Sequence, residues 1–446
     1  MVGIPSFKNA ATIGYVVRAA HAGLVQYFPD LKPVLVNSDA GSSDGTQRVV
    51  IETEPPDYVE SILLVRPTNK LDRVTLTYPE IDGIGGKGAA LRTIFEIAAA
   101  LEVQALVVVD SDLRSIVPEW IELLAGPILK GGYDYTTPLY ARYKYDGTIT
   151  NTVTYPLTRA LYGHRIRQPI GGDFGVSGDL VRHYLALDDW TEEISKFGID
   201  IWMTTSALTG GFAVCQTRLG AKVHDPKDPG SDLGPMFRQV VSTILRLAAA
   251  HPDSWLGVHG SHDVPAYGFE RIIDPPPLEV NAIRLLSEFH AGSLTLADTW
   301  RRMLDRTNAD TVLALAAEAG TLADTASRKL GLGGEDGGHA TTLEMAEALA
   351  AFHFPDDLWS RVVYDLILAV RKGDVETETM VASLVPIYFG RVGSFVIENR
   401  HVTTADAEDR VERQARQFEL LKPYLVERWL ALDEAEGAAR RPEAGA

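Results

Sequence analysis

The stretch Ala105-Leu-Val-Val-Val-Asp110-Ser111-Asp112 decides the fold of this chain. Its apolar, β-branched run from Leu106 to Val109 predicts a buried parallel strand. The two carboxylates that follow then fall at the carboxyl end of that strand, where open α/β sheets bind their ligands. Residues i and i+2 of an extended segment point the same way, so Asp110 and Asp112 can converge on one hard cation. An ordinary turn is the alternative, because aspartates in turns bond their own backbone.

The whole chain has the length and composition of a globular protein with two or three domains, since it has 446 residues, 46% hydrophobic and 23% charged. Its formal net charge of −18 argues against non-specific binding to nucleic acid or an anionic membrane, because both require a basic face. Cys215 is the only cysteine, so no disulfide within the chain is possible. The start of the sequence lacks a signal-peptide pattern, and no run of about 18 apolar residues occurs, so we expect a cytoplasmic protein without a membrane partner.

Strand signals recur on both sides of the opening stretch. The predicted strands lie at about 2–5, 33–37, 61–66, 105–109, 133–145 and 212–219. Pro5 is expected to stop the first strand, and Lys8 then lies on a loop that leads into a helix. From about residue 235 the pattern becomes overwhelmingly helical. We therefore expect a catalytic domain over 1–235 and a helical domain over 236–446.

Two loops in the first half are candidates for nucleotide binding. The polar run from Asn37 to Thr46 is either an N-cap and turn or a loop in which Asp39 contacts a base. The run from Gly83 to Gly88 precedes a helix, where glycines let backbone N–H groups approach a phosphate and Lys87 adds positive charge. It is not a Walker loop, because Gly88 stands where a hydroxyl residue is required. A plain glycine-rich loop is the alternative.

Three later segments carry further candidate side chains. Gly171 and Gly172 allow the backbone to pass close to a ligand directly before Asp173. Asp200 lies at the start of a helix, where capping is the alternative to a catalytic role. His224 is the right donor to complete a carboxylate and imidazole set for an ion such as Mn²⁺ or Mg²⁺, and a purely structural histidine is the alternative.

The order of these pieces resembles that of the nucleotide-sugar-dependent glycosyltransferases of the GT-A fold. The pieces are Ile-Pro-Ser-Phe-Lys8, the Asp39 loop, Gly-Lys87-Gly, Asp110-Ser-Asp112, Gly-Gly-Asp173, Gly-Ile-Asp200 and Lys-Val-His224. More narrowly, the chain is similar to the retaining synthases that attach mannose or glucose to glycerate, the mannosylglycerate and glucosylglycerate synthases. The resemblance covers about residues 2–235 motif by motif. It implies an α/β fold with a Rossmann-like mixed sheet, followed by a mainly α-helical C-terminal domain.

The resemblance also implies a role for each matching position. Asp112 and His224 would hold a divalent Mg²⁺ or Mn²⁺ ion, and Asp200 and Asp173 would be the catalytic acids. Arg142 and Thr150, together with Asp200, would bind the acceptor. The positions implied in nucleotide-sugar binding are Pro5, Lys8, Asp39, Lys87, Asp110, Ser111, Gly171 and Gly172.

Two positions depart from the family pattern. Asp173 stands where the family has glutamate, which shortens its reach toward sugar hydroxyls, and Phe197 replaces a tryptophan before Asp200. The implied chemistry retains the configuration of the anomeric carbon. A cation stabilises the negative charge of the leaving diphosphate, which deprotonates the incoming hydroxyl, while Asp200 positions and stabilises without forming a covalent intermediate.

Several alternatives stay open at this point. The donor base is guanine or uracil, the sugar is glucose or mannose, and the acceptor is glycerate or 3-phosphoglycerate. Lys144, Arg165 and Arg167, which are near Arg142 in sequence, would suit a phosphorylated acceptor. A sugar-nucleotide pyrophosphorylase is the alternative of another class, but the first strand is not followed by its glycine-rich loop. A scaffold protein with a degenerate transferase domain is disfavoured by the presence of the proposed metal ligands. A homodimer is expected.

Overall fold

The computed structural model describes residues 1–56, 59–65, 86–223, 233–270, 275–332 and 340–439. The strands within these ranges are β1 Val2–Ser6, β2 Val34–Asp39, β3 Glu60–Val65, β4 Ala105–Val108, β5 Tyr135–Ala141, β6 His164–Arg165, β7 Phe174–Ser177, β8 Val214–Ala221, β9 His262–Asp263 and β10 Ala266–Tyr267. The α-helices are α1 Ile13–Tyr27, α2 Thr46–Glu52, α3 Lys87–Ala100, α4 Glu119–Gly131, α5 Tyr155–Tyr162, α6 Gly178–Ala186, α7 Ile199–Thr209, α8 Leu233–Ala250, α9 Ala282–Met303, α10 Arg306–Lys329, α11 Thr342–Ala348, α12 Asp356–Lys372, α13 Thr377–Glu398 and α14 Thr404–Ala439. A π-helix, Thr150–Thr154, leads directly into α5, and a single 3-10 turn covers Pro252–Ser254.

One mixed sheet of eight strands takes seven strands from the first half of the chain and β10 from the second half. Its order is β10-β8-β5-β7-β4-β1-β2-β3. Neighbouring strands are parallel except at β7, which runs antiparallel to both β4 and β5. β6 and β9 form a separate two-stranded sheet. The predicted α/β class, with a Rossmann-like mixed sheet followed by a helical region, is therefore confirmed.

Side-chain alternation along β1 explains how helices cover both faces of the sheet. Val2 and Ile4 point to one face, where they share an apolar core with α1 and α4. Gly3 points to the other face, where α3 packs. A Cβ atom on Gly3 would lie 2.5 Å from Cγ2 of Ile94, so the missing side chain lets α3 approach the strand closely.

The first strand runs one residue further than predicted, through Pro5 to Ser6. The carbonyl groups of Met1 and Gly3 accept hydrogen bonds from β4, so Pro5 also faces β4. The ladder to β4 has ended at Gly3, and the missing N–H of Pro5 therefore costs no strand pairing.

The chain forms two compact units, and each is built from several segments. The first consists of Met1–Arg142, Ile166–Pro226 and Asp263–Pro275, and the second of Tyr143–Arg165, Lys227–His262 and Pro276–Ala446. The second unit is mainly helical. The segment Tyr143–Arg165 groups with it instead of with the predicted domain 1–235, because α5 packs on α14. Arg159 of α5 forms ion pairs of 2.6 Å with Glu412 and 2.9 Å with Glu419.

Among the described helices, α13 alone is long and apolar enough to cross a bilayer by length and composition, with a mean hydropathy of 1.6 over its most apolar window. However, 83% of that window is buried, and α13 packs against α9 and α8 inside the second unit. Burial of this kind is what the core helix of a helical domain requires.

Candidate active site

Three carboxylates approach one another at the carboxyl edge of the sheet. Asp110 follows β4. Because β7 is antiparallel to β4 and begins opposite Val108, Asp173 enters β7 beside the end of β4. The backbone N–H of Asp110 donates to Oδ1 of Asp173 over 2.8 Å. The strand order thus brings together two acids that are 63 residues apart in the sequence.

A lysine that the sequence analysis left without a role joins these two acids. Lys222 directly follows β8, whose carboxyl end lies at the same edge of the sheet. Its ammonium nitrogen lies 2.8 Å from Oδ2 of Asp110, 2.9 Å from Oδ2 of Asp173 and 2.8 Å from the carbonyl oxygen of Gly171. The Lys222 side chain is only 5% exposed. Its position next to a strand end, two residues before His224, was the one signal for it in the sequence.

Lys87 connects Asp110 to the third acid. It is the first residue of α3, and its ammonium nitrogen lies 2.8 Å from Oδ1 of Asp110 and 2.9 Å from Oδ1 of Asp200. Asp200 lies in the first turn of α7, which has Gly198 as its N-cap and no side-chain capping bond. Pairing with Lys87, rather than capping, therefore accounts for the buried position of Asp200. We call Asp110, Asp173, Asp200, Lys87 and Lys222 the charged cluster.

Burial and mutual charge determine the protonation of the charged cluster. Burial opposes ionisation of Asp110, but Lys222 and Lys87 outweigh it and hold the pKa of that carboxyl far below its usual value. Burial likewise disfavours the charged form of Lys87, yet Asp110 and Asp200 hold its pKa well above the usual value. For Asp173 and Asp200 burial prevails, and the pKa of each is raised even though a lysine lies beside it.

Tyr140 extends the charged cluster toward Arg142. The Tyr140 hydroxyl donates to Oδ2 of Asp173, and its ring lies 5.3 Å from the Lys222 ammonium nitrogen and 5.6 Å from the Arg142 guanidinium carbon. Burial raises the pKa of Tyr140 well above its usual value, so the hydroxyl stays a donor. Gln168 accepts a hydrogen bond of 3.4 Å from Arg142 and donates one of 2.9 Å to the carbonyl of Tyr140. Arg142 is thereby placed beside Tyr140 in the first unit.

The glycine pair before Asp173 makes room for neighbouring side chains. Gly172 has a φ of +88°, and a Cβ atom on it would lie 2.1 Å from Oδ2 of Asp110. A Cβ atom on Gly171 would lie 2.0 Å from Cγ of Pro138. Both glycines are therefore needed for the close approach of this loop to the end of β4 and to β5. Their contact with a sugar nucleotide stays a prediction.

At the start of α3, two backbone N–H groups have partners within the protein, and the contact of this run with a phosphate stays a prediction. The N–H groups of Gly88 and Ala89 donate to the carbonyl groups of Lys196 and Ser195, at 3.2 and 2.9 Å. A Cβ atom on Gly88 would lie 1.8 Å from the carbonyl oxygen of Ile194. These glycines dock α3 against the segment that precedes α7, and so bring Lys87 to Asp200. Gly83 and Gly85 lie outside the described residues.

Asp39 organises the loop between β2 and α2. One of its carboxylate oxygens accepts hydrogen bonds from the N–H groups of Gly41 and Ser42 and from the Gln47 amide, at 2.8 to 3.0 Å. The other accepts from the hydroxyl groups of Ser6 and Ser42. Burial would raise the pKa of Asp39, but these donors outweigh it and lower the pKa. These hydrogen bonds are those of a turn, which was the alternative interpretation of the run from Asn37 to Thr46. The contact between Asp39 and a base stays a prediction.

The loop after β1 holds Lys8 in an uncommon backbone conformation. Lys8 has a φ of 57°, in the left-handed region, and its N–H donates to the Ser42 hydroxyl over 2.8 Å. Its ammonium nitrogen lies 5.2 Å from the ring centroid of Phe7. Pro5 and Asp39 lie at the carboxyl ends of β1 and β2, and Lys8 lies in the loop after β1. Their roles in donor binding stay predictions.

Asp112 is the predicted metal ligand that the structure describes. Its carboxylate is half-buried and forms no hydrogen bond or ion pair with the rest of the described chain. His224, the other predicted ligand, lies outside the described residues. Within the ranges that the structure covers, no group of three or more His, Cys, Asp or Glu side chains could hold a metal ion. An unpaired carboxylate at this edge nonetheless suits a divalent ion that takes its other oxygen ligands from a diphosphate and water.

Thr150 belongs to the second unit. It is the first residue of the π-helix and is 6% exposed. Single π-helical turns are often found at functional sites. Its predicted contact with the acceptor stays a prediction.

The chain is similar to a known synthase that transfers a sugar. No protein-family model matches the chain. Its sequence is similar to a glycosyltransferase, the glucosyl-3-phosphoglycerate synthase of Petrotoga mobilis, with 24% identity over 261 residues, which cover 55% of this chain and 72% of the relative. The predicted resemblance to the sugar-transferring synthases of this group is confirmed.

Two solved structures of named synthases are similar to parts of this chain. Glucosyl-3-phosphoglycerate synthase from Mycobacterium tuberculosis, in complex with Mn²⁺, UDP-glucose and phosphoglyceric acid, is 26% identical, with a TM-score of 0.43, over 55% of this chain and 78% of its own. Mannosyl-3-phosphoglycerate synthase from Rubrobacter xylanophilus is 20% identical, with a TM-score of 0.42, over 62% of this chain and 77% of its own. These TM-scores are low, and the fold class follows from the strand order of this chain.

Proposed function

We propose that the protein is a retaining hexosyltransferase that moves glucose or mannose from a nucleoside-diphosphate sugar to D-glycerate. The observation that carries this proposal is the charged cluster at the carboxyl edge of the sheet, where an open α/β sheet binds its ligand. The similarity to a glucosyl-3-phosphoglycerate synthase supports the same class. A cytoplasmic homodimer is part of the proposal.

The donor would lie across the charged cluster. Asp110 and Asp173 provide acceptors for sugar hydroxyl groups, and their present partner, Lys222, carries the positive charge that a diphosphate requires. Lys87 supplies a second positive charge on the same side. Asp112 and His224 would hold Mg²⁺ or Mn²⁺, which acts as a Lewis acid on the leaving diphosphate.

The reaction would proceed on one face of the sugar. The acceptor hydroxyl forms the new bond to the anomeric carbon while the bond to the diphosphate breaks, and the hydroxyl proton passes to a leaving phosphate oxygen. Asp200, which Lys87 holds at 2.9 Å, stabilises the positive charge that develops at the anomeric carbon. No covalent intermediate with the protein forms.

The acceptor carboxylate would pair with Arg142, whose planar guanidinium can bind both oxygens of a carboxylate. We favour glycerate over 3-phosphoglycerate as the acceptor, because two of the basic residues near Arg142 in sequence have other partners. The ammonium group of Lys144 donates to the carbonyls of Asn399 and Val402, both at 2.8 Å. Arg165 donates to the Ser261 hydroxyl at 2.9 Å. Transfer to 3-phosphoglycerate is the second candidate, favoured by the name of the relative.

A panel of substrates tests this proposal. The purified protein is incubated with Mn²⁺, with UDP- or GDP-linked glucose or mannose, and with glycerate or 3-phosphoglycerate. The product is identified by mass and by the NMR signal of its anomeric proton. We expect an α-linked hexosylglycerate from one donor. A product from 3-phosphoglycerate alone establishes the second candidate, whereas a β-linked product or the absence of transfer in every combination contradicts the proposal.

A further inference from the structure

Asn9 connects three loops at the carboxyl edge of the sheet. Its side-chain oxygen accepts a hydrogen bond of 2.8 Å from the hydroxyl of Ser111, the residue between Asp110 and Asp112. Its backbone N–H donates to the Thr46 hydroxyl over 2.8 Å, at the end of the Asp39 loop. The predicted base-binding loop and the predicted metal-binding turn therefore meet at one half-buried residue of the loop after β1.

Ser111 is fixed at two points. Besides the hydroxyl bond to Asn9, its carbonyl oxygen accepts a buried hydrogen bond of 2.8 Å from the Thr12 hydroxyl. Ser111 is predicted to contact the donor. Its hydroxyl and carbonyl groups already have partners within the protein, so a contact with the donor would compete with these hydrogen bonds. With hydroxyl and carbonyl both held, the backbone on either side of Ser111 has little rotational freedom.

Ser111 lies between two acids, Asp110 and Asp112, that differ in how their side chains are held. Asp110 is held by two lysines, but Asp112 forms no hydrogen bond or ion pair with the rest of the described chain. Nothing in its own side-chain contacts therefore fixes the direction of the Asp112 carboxylate. Its direction depends on the backbone of the turn, and hence on the anchoring of Ser111.

We propose that Asn9 is a positioning residue that holds the metal-binding carboxylate of Asp112 in a fixed place relative to the nucleotide loop. This inference rests on the proposed function. Removing the Asn9 side chain cuts the link to Ser111 and a 3.1 Å hydrogen bond from the N–H of Phe7, but leaves the backbone link to Thr46. The variant Asn9→Ala should therefore bind a nucleoside diphosphate as before in the absence of metal and lose the part of the affinity that Mn²⁺ adds.

The experiment measures Mn²⁺ binding by electron paramagnetic resonance, in the presence of UDP or of GDP, for wild type, Asn9→Ala, Ser111→Ala and the double variant. Residues that orient a metal ligand typically contribute a factor of about 10 or more to metal affinity, and we expect each single variant to bind Mn²⁺ about 10-fold more weakly. The double variant should be no weaker than Asn9→Ala, because Asn9→Ala already removes the hydrogen bond that Ser111→Ala removes. The nucleotide affinity of Asn9→Ala without metal, measured by calorimetry, should stay unchanged.

Tyr15→Phe is the matched control. Its hydroxyl donates over 2.8 Å to the carbonyl of Ile116, so this variant also removes one hydrogen bond between α1 and the segment after Asp112, without touching Ser111. We expect it to keep the Mn²⁺ affinity of the wild type. If Asn9→Ala does not fold, Ser111→Ala removes the same bond from the other side. Asn9→Asp, which keeps the accepting oxygen, should restore Mn²⁺ binding.

The outcomes separate this inference from the function on which it rests. Wild-type protein that binds no Mn²⁺ with either nucleotide contradicts both. The wild type binds Mn²⁺ in a second outcome, and Asn9→Ala and Ser111→Ala bind it as tightly as Tyr15→Phe does. That outcome overturns the positioning role alone. Losses that add in the double variant also overturn it, because Asn9 would then act independently of Ser111.

Discussion

At the residue scale, Lys222 is the counter-charge of two acids, the fully buried Asp173 and the half-buried Asp110. Lys222→Met would leave Asp110 and Asp173 next to each other with the positive charge between them removed. Removing one partner of a buried ion pair typically costs about 3–5 kcal/mol, so we expect a loss of that size in the free energy of unfolding, measured by urea titration. Lys130→Met is the control. Lys130 pairs with Glu122 at the surface, where the loss should stay below about 1 kcal/mol. Equal losses in the two variants would contradict the role of Lys222.

Asp200 is the residue to which we assign charge stabilisation at the anomeric carbon. Asp200→Asn keeps the shape of the side chain but removes its charge, so donor affinity should persist while turnover falls by about 100-fold or more. Calorimetry with the donor and steady-state kinetics separate the two effects. Asp189→Asn is a suitable control, because its amide oxygen can still accept the hydrogen bond from Trp202. Turnover close to that of the wild type in Asp200→Asn would remove Asp200 from the mechanism.

The sequence singled out individual residues where a pattern was specific. Asp110 and Asp112 were proposed because two acids follow an apolar strand, and Asp200 because the order of motifs resembles a known group. Lys222 was missed, because a lysine after a strand is common and its partners come from distant segments. The five hydrogen bonds that Asp39 accepts within the protein also depend on loop geometry. From the sequence alone, Asp39 could be a turn residue or a contact to a base, and both interpretations stayed open.

At the element scale, the start of α3 positions Lys87. Gly88→Ala would place a Cβ atom 1.8 Å from the carbonyl oxygen of Ile194 and push α3 away from the segment before α7. We expect the free energy of unfolding to fall by about 1–3 kcal/mol, as for other overpacked sites, and turnover to fall because Lys87 and Asp200 separate. Gly257→Ala is the control, since no atom lies within 4 Å of its Cβ position. A Gly88→Ala variant as stable and active as that control would show that the close contact is not required.

Strands with an apolar run or an alternating pattern were predicted, whereas β6, β7, β9 and β10 were not. β7 contributes the antiparallel neighbour of β4, but the double glycine before it indicated only a loop. The run from Gly83 to Gly88 left two interpretations open, a phosphate-binding loop and a plain glycine-rich loop, because glycine suits both a ligand and a close backbone contact. The backbone contact depends on residues 194–196, which are about a hundred positions away in the sequence and leave no signal next to the glycines.

At the scale of the whole molecule, burial of Lys422 predicts a pH dependence of stability. Burial lowers the pKa of Lys422 to about 8, whereas an unfolded chain has a lysine pKa of about 10.4. Between these values the unfolded chain holds a proton that the folded protein has lost, so the contribution of Lys422 to the free energy of unfolding rises with pH. After allowance for its partial solvation we expect about 1–2 kcal/mol between pH 7.5 and about pH 10.

Lys422→Met isolates this contribution, because the tyrosines and other groups that titrate at high pH are common to both proteins. Urea titrations at each pH should show a rise in the stability of the wild type relative to Lys422→Met. A constant difference across the range would mean that the hydrogen bonds from Lys422 to the carbonyls of Val258 and Leu161 keep it charged.

The division of the chain was predictable only in part. The change to a helical pattern near residue 235 is visible in composition. The grouping of Tyr143–Arg165 with the helical unit is not, because it depends on long-range contacts such as the 2.7 Å hydrogen bond from the Trp359 indole to the carbonyl of Thr152. Contacts between residues 207 positions apart leave no periodic signal in a single sequence.

The most direct measurement of the central claim is calorimetric titration with UDP- and GDP-linked glucose and mannose, with Mn²⁺ and after its chelation, for the wild type and Asp112→Asn. We predict that one of the four donors binds the wild type with Mn²⁺, and that chelation or Asp112→Asn weakens its binding by about 10-fold or more. If none of the donors binds, or if a donor binds equally well in all of these conditions, a metal-assisted sugar-nucleotide site at this edge of the sheet is contradicted.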